Sequence, residues 1–246
     1  MITDIFERQE KKYMLSSGQY ASLLPYIKAH CVPDEYPESD VCSIYYDTDD
    51  MRLIRASIDK PAYKEKLRIR AYEIPGPETM VFVEIKKKVC GMVYKRRVMM
   101  KYSDAVGYLE YGLAAPKPCQ ITREIDYLKK FYGNLKPAMF VSYHRLSFVD
   151  RNDNRLRVTF DDKILCRETD LSLDKGIWGK PLTDDGVKLM EIKTVECMPP
   201  WLSAALDKCC IYPGSFSKYG TAYTDTLSEN TKEKEKVKIK GEIHCA

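Results

Sequence analysis

Eight runs along the chain alternate apolar and polar residues with a period of two, the pattern of strands that bury one face. They cover Glu7–Leu15, Val41–Asp47, Tyr63–Tyr72, Met80–Lys88, Met92–Tyr102, Ala138–Val149, Asn154–Leu165 and Val187–Val195. Four short segments between them carry helix signals: Ser17–His30 with an internal Pro25, Ser103–Tyr111, Gln120–Tyr132 and Pro199–Ile211. Ser103 and Asp104 suit a helix start and Gly112 its end, while Pro199 and Pro200 can open a helix carrying Leu202, Ala205, Leu206 and Cys209. The pattern predicts a mainly β, α+β protein with one domain over residues 1–227, large enough for a barrel with helices packed outside it. From residue 228 the sequence NTKEKEKVKIKGEIHC is dense in charge. It predicts a loose tail over 228–246, in which VKIKGEI alternates and could add an edge strand.

The same alternation sorts the charges, because residues two apart on a strand share a face. Lys66, Arg68 and Arg70 lie opposite Leu67, Ile69 and Ala71; Glu84, Lys86 and Lys88 lie opposite Val81, Val83 and Ile85. Arg157 opposes Leu156 and Val158, Glu191 and Lys193 oppose Met190 and Ile192, and Arg8, Glu10 and Lys12 share a face. Taking one face per strand, Arg8, Lys12, Lys66, Arg68, Arg70, Lys86, Lys88, Lys95, Arg97, Arg145, Arg157 and Lys193 stand against Glu10, Glu84, Asp161 and Glu191. The whole chain of 246 residues carries only +4. Positive charge is therefore gathered on one surface, and the remainder of the chain is net negative.

Such a face could lie in water as the polar side of ordinary strands, or form an open platform for nucleic acid. The platform lacks aromatic interleaving: Tyr72 lies beside the basic run, but no paired stacking aromatics accompany it. No nucleic-acid partner is expected. If the sheet instead closes with the basic face inward, repulsion in a lowered dielectric costs several kcal/mol unless an anion enters, and a polyanion is the natural occupant.

Other classes find little support. No stretch approaches the roughly 18 apolar residues of a membrane span, and no signal-peptide pattern opens the chain, so a soluble, cytoplasmic protein is expected. Nine cysteines, scattered apart from Cys209-Cys210, read as reduced and mostly buried. Three histidines leave little material for a His-based zinc site or triad. His144 should point away from Arg145's face. Tyr13, Tyr45, Tyr46, Tyr143, Trp178 and Trp201 read as packing residues.

Nine short strings in order carry a resemblance: RQEKKY at Arg8–Tyr13, YYDT at Tyr45–Thr48, KLRIR at Lys66–Arg70, FVEIKKK at Phe82–Lys88, YKRRV at Tyr94–Val98, SYHR at Ser142–Arg145, RVTFDD at Arg157–Asp162, LMEIK at Leu189–Lys193 and SFSKY at Ser215–Tyr219. Together, over roughly Glu7 to Thr221, they resemble the polyphosphate polymerase domain of the vacuolar transporter chaperone complex, within the triphosphate tunnel metalloenzyme superfamily. The resemblance implies a closed eight-stranded antiparallel β-barrel, lined by Lys12, Arg68, Arg70, Lys86, Arg97, Arg145 and Arg157 as phosphate ligands. It also implies a metal at Glu191 and a phosphate-binding turn at Ser217 and Lys218. Arg8, Lys66, Lys88, Lys95 and Lys193 share the basic face as further substrate-binding candidates, and Glu10 and Glu84 could assist Glu191 with Mn²⁺ or Mg²⁺.

The implied activity moves the γ-phosphate of ATP onto a growing inorganic polyphosphate chain. The alternatives are a tripolyphosphatase or nucleoside triphosphatase in the same tunnel, or a non-catalytic module that binds polyphosphate or RNA. Arg8 stands where the wider superfamily carries the first Glu of E-x-E-x-K, which suits the polymerase branch and removes one metal carboxylate.

Overall fold

The computed structural model describes residues 9–228 apart from 60, 91 and 196. Arg8 and the tail from residue 229 onward, VKIKGEI included, lie outside the described residues. In chain order the elements are β1 (Gln9–Leu15), α1 (Ser17–His30), β2 (Cys31–Asp47), α2 (Arg52–Ile58), β3 (Tyr63–Ala71), β4 (Met80–Val89), β5 (Met92–Lys101), α3 (Tyr102–Glu110), α4 (Gln120–Tyr132), β6 (Lys136–Asp150), β7 (Arg157–Arg167), β8 (Lys180–Pro181), β9 (Lys188–Thr194) and α5 (Pro200–Lys208). A further helix, α6, covers 218–228. Every strand pairing is antiparallel, in the order β1-β9-β7-β6-β2-β3-β4-β5, with β8 added beside β7.

Alternation decides what each face meets. Leu67, Ile69, Val81, Val83 and Ile85 pack under α3 and α4 with Ala105, Tyr108, Ile125 and Leu128. Val158, Phe160, Met190 and Ile192 pack under α1 and α5 with Leu23, Ile27, Leu202 and Leu206. The opposite face is concave and carries the charges. Part of it is apolar: Val41, Tyr45, Met139, Val141 and Leu189 cluster with Ile54 of α2 and with Tyr219 and Ala222 of α6. Lys163, at φ 47°, inserts a left-handed residue that shifts the parity of β7, so that Ile164 and Cys166 join this inner cluster beyond Asp161.

The expected closure into a barrel is not made. β1 and β5 end the strand order and form no ladder with each other among the described residues. Part of the reason lies in β1 itself. At Lys12 its backbone carbonyl turns away from β9 and accepts a hydrogen bond from Gly214 N at 2.7 Å, so this edge is already taken. β5 in turn presents the exposed Arg96 and Arg97, the kind of charged edge that resists further strand pairing. The sheet curls around α6 without sealing.

Three further expectations change. β2 begins at Cys31 because the Pro- and acid-rich stretch before Val41 still pairs with β6, through a register shift between Pro33 and Glu38. Helices α2 and α6 were not foreseen. Only Cys31, Cys42 and Cys166 are buried among the described cysteines, all of which are free thiols; Cys90, Cys197 and Cys210 are exposed. No helix among the described residues is long and apolar enough to cross a membrane.

Asp47 joins three of these elements. Its fully buried carboxylate ends β2 and accepts hydrogen bonds from Thr48 N (2.9 Å), from Leu53 N (2.8 Å) and Ile54 N (2.9 Å) at the start of α2, and from the Tyr219 hydroxyl of α6 (2.9 Å). Asp47→Ala strands these donors in the interior and is expected to lower stability by about 3 kcal/mol. Thermal unfolding should register this as a drop in Tm of roughly 6–12 °C.

Candidate functional site

Two carboxylate centres organise the concave face. The first is Glu84 of β4, 1% exposed, opposite Arg68 of β3 in the ladder register. Arg68 donates from Nε at 2.7 Å and approaches from Nη2 at 2.6 Å, Lys95 Nζ of β5 lies at 2.7 Å, and Arg70 Nε lies at 3.8 Å. Burial alone would raise the Glu84 pKa, but Arg68, Arg70 and Lys95 together hold it well below the usual carboxylate range. Burial also pulls the Lys95 ammonium down to about 8, against the opposing pull of Glu84.

The second centre pairs Asp161 of β7 with Glu191 of β9. Asp161 is 0% exposed; it accepts a bidentate fork from Arg145 Nε (2.6 Å) and Nη2 (2.7 Å) and a bond from Lys218 Nζ (2.6 Å). Glu191 meets Lys193 at 3.2 Å, Arg145 at 3.4 Å, and Lys12 and Lys218 at 3.6 Å. Its burial opposes ionisation, yet these four cations prevail and keep its pKa well below the ordinary value. Lys218 also lies 4.2 Å from the Tyr143 ring centroid. Glu10 of β1 touches Lys12 at 3.6 Å and feels both Glu191 and Lys86 electrostatically, so β1 faces β4 across the concavity.

The balance is uneven. Lys12, Lys66, Arg68, Arg70, Lys86, Lys95, Arg145, Lys193 and Lys218 share this surface with Glu10, Glu84, Asp161 and Glu191. Among the described residues Lys66 and Lys86 make no ion pair. Lys66 meets only neutral groups, the Ser217 hydroxyl at 3.2 Å and the Tyr219 ring at 5.8 Å from its centroid. Burial first, then the neighbouring Lys86, Lys12 and Lys64, bring it down to about 8 in spite of Tyr45. An anion entering here meets ammonium groups that have given up most of their water.

The remaining sequence candidates sit at the margins. Arg157 is half exposed and pairs with Asp34 at 3.1 Å. Arg97 is exposed and lies 4.5 Å over the Phe82 ring, and Lys88 is exposed at the end of β4. Ser217 caps α6, its Oγ accepting from Gly220 N at 3.2 Å, while Lys218 reaches the centre. His144 lies on the opposite face as expected, between Glu38 (2.8 Å) and Asp162 (3.1 Å).

Sequence reasoning missed Tyr45 and Tyr143, although alternation puts them on the face of Ser43 and Arg145. The Tyr45 hydroxyl accepts from Arg68 Nη1 at 2.8 Å, and its ring stacks on Tyr219 at 4.5 Å. Burial raises the phenol pKa, but Arg68, Arg70 and Lys66 outweigh it and bring it down to about 8. Tyr143 Oη accepts from Arg70 Nη2 at 3.4 Å.

Glu84 is committed to its own cations, away from the pair Glu10 and Glu191. Among the described residues no group of three His, Cys, Asp or Glu could hold a metal ion. Glu10 and Glu191 lie near enough to feel each other's charge, and two carboxylates are the donor set that binds Mg²⁺ or Mn²⁺ where phosphate oxygens and water complete the shell.

A family model described as "VTC domain" matches residues 7–226. No curated protein matches the chain. Among solved structures, a candidate adenylate cyclase from Bacillus halodurans is 14% identical, with a TM-score of 0.52 over 86% of this chain and 95% of that one, and shares its fold. A candidate adenylate cyclase from Vibrio parahaemolyticus is 10% identical, with a TM-score of 0.47 over 88% and 97%. The Mimivirus capping enzyme triphosphatase is 8% identical, with a TM-score of 0.36 over 83% and 89%.

The lysine shifts give a pH dependence. Lys66 and Lys95 are largely neutral above pH 8, whereas an anion favours their charged forms, so binding must take up protons there. The affinity for inorganic triphosphate should hold near pH 7 and fall as pH rises through 8, by up to about tenfold per pH unit for each lysine that must be charged. Calorimetry in buffers of different ionisation enthalpy would count the protons; no uptake at pH 8.5 would show that these lysines do not face the anion.

Proposed function

The chain belongs to the VTC-domain family, of the triphosphate-tunnel type, and on that premise we propose that it moves the γ-phosphate of ATP onto a growing inorganic polyphosphate chain along the basic concavity. Phosphoryl transfer asks mainly for positioning and for neutralising charge spread over the phosphate oxygens. Arg68, Arg70 and Arg145 offer planar forks that fix orientation. Lys12, Lys66, Lys86, Lys193 and Lys218 act as adaptable point charges along the chain's path. Arg97 and Arg157 add positive charge at the margins.

A Mn²⁺ or Mg²⁺ ion held by Glu191 and Glu10 would supply further neutralisation at the transferring phosphate. When phosphate oxygens arrive, Lys12 and Lys193 can turn from Glu191 to the substrate and leave that carboxylate to the metal, while Lys218 keeps its bond to Asp161. Arg145 stays anchored by its fork on Asp161.

One observation favours growth of the chain over hydrolysis. The inner carboxylates that could activate water are held by cations: Glu84 and Glu191 lie well below the ordinary carboxylate range, and Asp161 is gripped by Arg145 and Lys218. Glu84 and Glu191, so lowered, are weak bases at neutral pH, and the Asp161 oxygens are already occupied by cationic donors. A terminal phosphate is already anionic and needs no base to attack.

Incubation with ATP and Mn²⁺, followed by gel separation, should yield long phosphate chains; free phosphate as the sole product would establish a triphosphatase instead. Glu191→Gln should lower turnover by at least about 100-fold. It should leave triphosphate binding as tight or tighter, because one negative charge has left the anion's surroundings. Parallel loss of binding would place Glu191 in the scaffold and not at the reacting phosphate.

A further inference from the structure

Thr159 sits in β7 between Arg157 and Asp161, and alternation places the three on the concave face, since Val158 and Phe160 pack outward beneath α1 and α5. Its ladder partners are Ser147 of β6 and Glu191 of β9. The residue is 2% exposed, and its Oγ1 has no hydrogen-bond partner. A buried hydroxyl without a partner is costly, and most are satisfied in native proteins.

The groups around it are engaged elsewhere. Ser147 Oγ donates to Asp34 Oδ2 at 2.8 Å, Arg145 is forked onto Asp161, and the Glu191 oxygens are ringed by cations. Ser142 Oγ is also buried and unpartnered, but it lies opposite Cys42 on the face packed by helices, where no ligand passes. Thr159 differs in lying on the face that carries the charges, where its covered hydroxyl becomes reachable when the cations around Glu191 turn to an incoming anion. Arg145, Arg157 and Lys193 flank its position, so a species settling there must carry negative charge.

We propose that Thr159 is a phosphate ligand: its hydroxyl donates to a non-bridging oxygen of the phosphoryl group held in the corner formed by Arg145, Glu191 and Lys193. This rests on the reading that the concavity binds a phosphate chain. A hydroxyl adds a directional donor among point charges, and so fixes the rotation of one phosphate unit. It adds no charge that would hold the chain back when it moves on.

Two variants test it. Thr159→Val keeps the shape and removes the hydroxyl, while Thr159→Ser keeps the hydroxyl. Titration with tripolyphosphate in the presence of a chelator, at pH 7, should show Thr159→Val binding about tenfold more weakly and Thr159→Ser close to the parent. Without ligand, Thr159→Val should melt at or above the parent temperature, because an unsatisfied buried hydroxyl has gone.

Unchanged affinity in Thr159→Val overturns the proposal. A lower melting temperature with unchanged affinity overturns it too, and would identify a hydroxyl bonded to a structural water only. If the parent chain itself fails to bind tripolyphosphate, the reading of the concavity falls and the proposal falls with it; binding by the parent and by Thr159→Val alike removes the proposal alone.

Discussion

Repulsion among cations gathered on the inside of a curved sheet is the constraint around which this fold is arranged. Arg68, Arg70 and Lys95 come within ion-pair reach of one carboxylate, Glu84, and Lys12, Arg145, Lys193 and Lys218 crowd round Asp161 and Glu191. Each carboxylate is shared by more cations than it can neutralise. Two such centres offset part of that repulsion, while the unmatched charge of Lys66 and Lys86 favours the approach of an anion. Stability and readiness to bind thus pull against each other in one set of side chains.

The outer layers make this tolerable. Apolar residues on the far side of β3 and β4, and of β7 and β9, are clamped by α3 with α4 and by α1 with α5. Burial at roughly 25 cal/mol per Å² over these two clusters offsets the cost of charges held in the interior. The third cluster, where Tyr45 and Val141 meet Tyr219 and Ala222, fills one part of the concavity and confines the polar part to the remainder.

Much of this was legible in the sequence because a period of two is a direct record of which face a residue takes. The assignments of Lys66, Arg68, Arg70, Glu84 and Lys86 to one surface follow from it, and α1 and α4 were bounded correctly by their sequence signals. What alternation does not encode is how far along a strand a residue lies from the centre of curvature. Arg97 and Arg157 therefore looked equivalent to Arg68 and Arg145, although they lie at the rim. Closure failed for a related reason: no property of β1 or β5 read alone reveals that Gly214 takes the Lys12 carbonyl. Helix α2 depends on Asp47, a residue that ends the preceding strand, and α6 begins at Lys218, within a motif read only as a turn. The inward tyrosines were visible by parity but were discounted, because tyrosine is common in strands of every kind.

The pairing of β1 with β9 carries a consequence for how the chain reaches this state. Lys12 sits beside Glu191, and Gly214 closes over the same strand, so the earliest described strand finds its neighbours only after almost all the others exist. Contacts of such sequence separation slow folding. Until β9 and Gly214 are in place both backbone edges of β1 face water, and the basic surface stays incomplete until α6 packs against it. Before those contacts form, β1 is an open edge of the kind that pairs with other chains, and an anionic polymer would meet scattered lysines and no assembled site.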